Sequence, residues 1–340
     1  MNAPEMSVVL VTPDNFETVR QTVRHLRAQS KRARIELVFV APDAGAFHLD
    51  EPEVSEFFGS QVIEIGSMSS TARGRAAGVL AASAPVVAFA EDHAFPREGW
   101  AEALLARHAE GWTAVAPVMA NANPRSAVSW ANLLIEYAPW LEPCESGERE
   151  HLPGHNGSYK REALVAYGAR LEAMLDAESV LHWDLRARGH GLFLEARART
   201  LHLNFTDARA SAVLRFYGGR LFAASRARGW SAGKRLAFVA GSPLIPLVRF
   251  MRIARVARRA LPATANSAAV LSLVLLALVC DGTGELVGYA AGGGDAMAKL
   301  SDMEFKRGRF IKRTRRAHGV DSDADGARPT QLLETEAGAD

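Results

Sequence analysis

At 340 residues, 48% hydrophobic and 23% charged, the chain can bury a large core as one domain or two unequal ones, and a net charge of +2 excludes a global electrostatic attraction to any one partner class. Its two cysteines, Cys144 and Cys280, are far apart and form no CxxC pair, which excludes a disulfide framework and a zinc cluster and suits a reducing compartment. The first residues, "MNAPEMSVVLVTPDNFETV", hold no basic segment followed by a long apolar one, so no signal peptide is expected and the chain is expected to start in the cytosol.

The first elements alternate. "SVVLV" reads as a buried strand, "NFETVRQTVRHLRAQ" carries helical spacing at Phe16, Val19, Val23 and Leu26, and "IELVFVAP" reads as a second buried strand. A short strand "QVIEI", a helix "STARGRAAGVLAAS" capped by Ser69 or Ser70, and a strand "PVVAFA" continue the pattern. Such alternation predicts an α/β domain with a parallel sheet, in which ligands bind beyond the carboxyl ends of the strands. A helix "AEALLARHAEG", a strand "TAVAPVMA" and a loop-rich stretch over residues 121–157 come next. The helices "REALVAYG" and "RLEAMLDAESVLHWDLRARG" follow, with Gly189 placed to end the second, and then a strand-like "GLFLEARARTLHLNF".

Polar chemistry is concentrated in "AEDH". Glu91, Asp92 and His93 follow directly on a buried strand, where carboxylates and an imidazole can hold a divalent cation, Mn2+ or Mg2+, that grips a diphosphate. A solvated turn before Pro96 is the plainer alternative for the triplet alone. His155 and Asn156 lie in a Gly-rich loop that can approach a ligand closely. Trp140 and Trp183 could offer a face to a sugar, although burial is the commoner use of that side chain.

Four segments in order resemble the family 2 glycosyltransferases of the GT-A fold: "SVVLVTPDNFETVRQTVRHLRAQ", "STARGRAAGVLAASAPVVAFAEDHAFPREGW", "GHNGSYKREAL" and "LDAESVLHWDLRARGHGLFLEARARTLHLN". They cover about the first 205 residues. The resemblance implies an inverting transfer of a sugar from a nucleoside diphosphate sugar to a hydroxyl acceptor, a glycan or a lipid-linked one. By position it implies Asp92 and His93 as metal ligands with His202 near the metal or diphosphate, Glu91 beside the donor, and Asp43 and Arg73 near the nucleotide. It implies Glu178 as the catalytic base, eleven positions before Gly189, with Asp176 and Asp184 as competitors. The usual acidic triplet is Glu-Asp-His here, and the usual "VDDGS" is "VAPDAG". These departures keep a non-catalytic, membrane-associated scaffold with nucleotide-sugar affinity as the alternative. A nucleotidyltransferase would want a Gly-rich, Lys-containing loop where "VTPDNFETV" stands.

From Arg209 to Arg259 there are twelve Arg or Lys and no Asp or Glu. In "PLVRFMRIARVARRAL", arginines 249, 252, 255 and 259 recur at three- and four-residue spacing among apolar residues, as in a cationic amphipathic helix at an anionic membrane surface. No nucleic-acid-binding fold is recognisable. The apolar run Ala268 to Cys280, 13 residues long and interrupted by Asp281 and Glu285, reads as a buried hairpin or interfacial element rather than a span. The organisation expected is a GT-A catalytic domain over 1–208, a basic and apolar helical membrane-associating region over 209–300, and a disordered charged tail over 301–340. The location expected is peripheral, on the cytoplasmic face of the membrane.

Overall fold

Strands buried along their length need cover on both faces, and three such strands with a partly buried edge strand form one flank of the sheet. In the computed structural model, which describes residues 3–176 and 178–311, β1 (Met6–Val11), β2 (Ile35–Ala41), β3 (Gly59–Glu64) and β4 (Val86–Ala90) run parallel in the order β3-β2-β1-β4. Helix α1 (Phe16–Arg27) crosses between β1 and β2, capped by Asn15, and buries Phe16, Val19, Val23 and Leu26 as its spacing predicts. Two short helices, α2 (Ala44–Phe47) and α3 (Glu51–Val54), precede β3. Helix α4 (Thr71–Ala81) is capped by Ser70 and presses on the sheet so closely that a Cβ on Gly78 would lie 2.4 Å from Val9 Cγ1.

The second flank is mixed. A short β5 (Ala94–Pro96) leads through α5 (Trp100–Ala109) to β6 (Ala114–Asn121) and then α6 (Ala127–Tyr137), which lies within the stretch expected to be loop. Its sequence, AVSWANLLIEY, is apolar almost all round because it is buried on several sides, so it lacks the one-sided stripe that marks a surface helix. After β7 (Gly147–Glu148), a 3-10 turn at Gly154–Asn156 and β8 (Ser158–Lys160) come α7 (Arg161–Val165), α8 (Leu171–Asp176), α9 (Glu178–Ala187) and the long β9 (Leu192–His202). The sheet order is β3-β2-β1-β4-β8-β6-β9-β5, with β7 beside β9. Strand β8 is antiparallel to both β4 and β6, β6 and β9 are parallel, and β5 is antiparallel to β9. This is a mixed sheet with helices on both faces, and a helical C-terminal region follows it.

That region comprises α10 (Ala208–Arg226), α11 (Ala232–Gly241), α12 (Ile245–Ala260), α13 (Ser267–Ala291) and α14 (Ala296–Phe305). Its core is continuous with the sheet domain, since Val270, Val274 and Leu278 of α13 and Ile253 of α12 pack with Trp130, Leu133 and Leu134 of α6. The acidic residues do not interrupt α13. It continues as one helix of 25 residues, and Asp281 and Glu285, one turn apart, face inward toward Arg249 of α12, with Asp281 in direct ion pair with it. Two stretches, Ala232–Ala260 and Ser267–Ala291, are long and apolar enough to cross a membrane by length and composition. Residues 301–311, expected to open the charged tail, form the end of α14 and a 3-10 turn at Arg307–Phe310. The rest of that tail lies outside the described residues.

Candidate metal and donor site

The carboxyl end of β4 delivers Glu91, and the turn into β5 delivers His93. Because β5 pairs antiparallel with the end of β9, Ala94 stands opposite His202, and the His93 and His202 rings meet edge to face with centroids 4.9 Å apart. One ligand atom each from Glu91, His93 and His202 falls within 4.8 Å of the others. His93 Nε2 lies 3.6 Å and His202 Nε2 3.9 Å from the same oxygen, Glu91 Oε2.

The other ring nitrogens decide the chemistry of that meeting point. His93 Nδ1 donates to Asp92 Oδ1 at 2.6 Å, and His202 Nδ1 donates to Asn204 Oδ1 at 2.8 Å. The Asn204 oxygen faces the ring because its amide nitrogen is committed to the His202 carbonyl at 2.9 Å. With protons on both Nδ1 atoms, both Nε2 atoms present lone pairs. Burial holds both imidazoles well below their usual range, so they are neutral. Two nitrogen lone pairs and a carboxylate oxygen therefore converge, and once Glu91 is ionised no proton lies between the imidazoles and the carboxylate, an arrangement that a cation relieves. Two imidazoles and one carboxylate suit Mn2+ better than Mg2+, which prefers oxygen ligands alone. The structure leaves Asp92 outside this set and puts it behind His93 as the carboxylate that orients the ring.

Beside the triad a second carboxylate is held. Glu178 opens α9, and its side chain crosses Gly154 so closely that a Cβ there would lie 2.9 Å from it. The buried Arg75 of α4 joins the two acids, donating from Nη1 to Glu178 Oε1 at 3.0 Å with Nη2 3.6 Å from Glu91 Oε1. His155 Nδ1 lies 3.0 Å from the same Glu178 oxygen, and Asn156 Nδ2 donates to Glu91 Oε2 at 2.9 Å. Burial pushes both glutamates up to about 7, against the opposing pull of Arg75.

Thus Glu91, His93, His202, His155, Asn156 and Glu178 come together, and Asp92 adjoins them. Asp43 and Arg73 make their contacts elsewhere. Asp43 caps α2 by accepting from the Gly45 and Ala46 amides, and Arg73 of α4 donates to the Ile65 and Ser67 carbonyls of the loop that precedes the helix. Asp184 is engaged by Tyr167 and Arg188. Trp140 donates to the His151 carbonyl, whereas Trp183 is 54% exposed and its Nε1 is 3.1 Å from His151 Nε2. Sequence reasoning passed over Arg75. The signal was Gly74 and Gly78, which mark the packed side of α4, since Arg75 lies one turn from Gly78 on that side.

No protein-family model matches the chain, and no curated protein matches it. Among solved structures the chain is similar to that of GalNAc-T7 with UDP, GalNAc and Mn2+, at 15% sequence identity and a TM-score of 0.45. The match covers 59% of this chain and 44% of that chain, less than half of the latter's length.

Proposed function

We propose that this protein is a metal-dependent inverting glycosyltransferase, which moves a sugar from a nucleoside diphosphate sugar to a hydroxyl of a glycan or lipid-linked acceptor. The observation that carries the reading is the convergence of two neutral imidazole lone pairs and Glu91 beside a second, separately held carboxylate. Glu91, His93 and His202 would hold Mn2+, or Mg2+ less well, and the cation would supply neutralising charge for the departing diphosphate. Asp92 and Asn204 fix the two rings with Nε2 forward. Asn156 steadies Glu91.

Glu178 acts as the general base. Its carboxyl, raised to about 7, is poised near neutral pH, so that it takes the acceptor's proton as the hydroxyl attacks the anomeric carbon. Arg75 and His155 orient it through the same oxygen, Oε1, which leaves Oε2 for the proton. Asp43 and Arg73, near the ends of β2 and β3, are proposed for the nucleotide side. Arg252, Arg255, Arg258 and Arg259 are exposed on α12, near exposed Leu247, Val248 and Met251, and support peripheral attachment to an anionic membrane on its cytoplasmic face. Arg249 is not free for that role, since Asp281 engages it.

The test is incubation with a panel of nucleoside diphosphate sugars, Mn2+ and candidate acceptors, with the released diphosphate measured and the product's anomeric configuration read by NMR. Metal-dependent release with an inverted product is expected. A retained configuration would refute the role of Glu178, and donor binding with no release in any combination would favour the non-catalytic scaffold.

A further inference from the structure

We infer that Arg307, carried by the arm that follows the long C-terminal helices, is a positioning residue for the donor's diphosphate, so that the site is completed by a segment outside the sheet domain. This rests on the metal and diphosphate reading above. Arg307 opens the 3-10 turn after α14 and is only 7% exposed. Its guanidinium lies over the Phe205 ring, 4.7 Å from the centroid, three residues beyond His202. Nη1 donates to Glu304 Oε2 at 2.7 Å, while Nε is buried with no hydrogen-bond partner among the described residues.

A buried arginine ordinarily uses its donors, because an unmet one costs free energy. Here the unmet donor belongs to a guanidinium laid over Phe205, at the end of the strand that presents His202. Arg75 and Arg215 are ion-paired to Glu178 and Glu136 as Arg307 is to Glu304, and Arg215 shares the unmet Nε, but only Arg307 lies over Phe205, three residues beyond His202. A diphosphate carries more negative charge than one divalent ion offsets, and a guanidinium presents a planar fork that matches phosphate oxygens.

The arm is built into place. The Thr206 and Asp207 amides donate to the Phe310 carbonyl at 3.0 and 3.3 Å, Phe310 meets Phe205 at 5.4 Å, and Met303 packs with Phe205 and Leu214. The same contacts tie the arm to the strand end that presents His202. Arg307 thereby links the helical region to the metal site.

The test uses the full chain with inorganic pyrophosphate as a probe that needs no knowledge of the base. Calorimetry measures Mn2+ alone, then pyrophosphate in the presence of Mn2+, for wild type, Arg307→Gln, Arg307→Lys and Glu304→Gln. Arg307→Gln should weaken pyrophosphate by about 10- to 100-fold, the worth of charge-assisted hydrogen bonds, and leave Mn2+ affinity unchanged or slightly tighter. Arg307→Lys, which keeps the charge and loses the fork, should recover part of the affinity and serves if the glutamine variant does not fold. Glu304→Gln, which cuts the internal tie and keeps the cation, should bind as wild type does. Equal pyrophosphate affinity in wild type and both Arg307 variants would overturn the inference and leave the metal site standing. Loss in Glu304→Gln equal to that in Arg307→Gln would make the arm purely structural and also overturn it. A wild type that binds no Mn2+ would remove the metal reading and this inference together.

Discussion

Replacing Glu91 by Gln should move stability in two opposite directions. Without metal, the wild-type carboxyl is raised from 4.5 to about 7 chiefly by burial, so at pH 8 it is ionised at a cost of about 3 kcal/mol, taking ~1.4 kcal/mol per pH unit. A glutamine of the same shape removes that cost and can still accept from Asn156. That cost is already net of the opposing pull of Arg75, which is included in the value of about 7. The raised carboxyl favours the native state below pH 4.5, and that contribution is lost as pH rises through 7. The metal-free variant should therefore melt several degrees above wild type at pH 8 and show little difference at pH 5. With Mn2+ the order reverses, because the wild type gains stability from a ligand bound only by the native state and the variant, lacking its anionic ligand, does not. Thermal melts at both pH values, with and without Mn2+, make the measurement. Equal Mn2+-dependent stabilisation of both proteins, or a metal-free variant less stable than wild type at pH 8, would refute the reasoning.

Glu178→Gln should lower kcat by roughly two to four orders of magnitude with donor affinity nearly unchanged. In the wild type kcat should fall as pH drops below about 7, where the base protonates, and a flat profile between about pH 5.5 and 8.5 would contradict it. Asp184→Asn and Asp176→Asn should leave turnover within a few-fold, as Asp184 is engaged by Tyr167 and Arg188. Arg75→Ala leaves two buried carboxylates without their cation and should cost on the order of 3 kcal/mol at pH 8. At pH 5, where both are protonated, the cost should be much less, and denaturant melts giving equal losses at both pH values would count against the pair. Reversing Arg252, Arg255 and Arg259 to Glu should release the protein from anionic liposomes, as salt should in part. Cosedimentation equal to wild type would return α12 to a solvated face.

The parallel flank was legible because β1, β2 and β4 are apolar runs broken only by Ser7 and Glu36, and α1 shows its apolar spacing openly. Helix α6 was not, since burial on several sides erases the pattern that identifies a helix, and two- and three-residue strands such as β7 and β8 carry too few residues to show alternation. "AEDH" drew attention to the right turn, yet three consecutive side chains leave the backbone in different directions and cannot all meet one ion. Glu91 and His93 face His202, and Asp92 turns to the far nitrogen of His93. The partnership with His202 depends on the pairing of β5 with β9, which joins residues more than a hundred apart and leaves no local trace. In α13 the acidic residues looked like interruptions because their cation, Arg249, lies on another helix.

The most direct measurement of the central claim is anomalous diffraction at the manganese edge from a crystal soaked in Mn2+. A peak is expected within coordinating distance of Glu91 Oε2, His93 Nε2 and His202 Nε2, with Asp92 still bound to His93 Nδ1. A peak at Asp92 or Asp43 in place of that position, or an ordered site with no peak at saturating Mn2+, would contradict it.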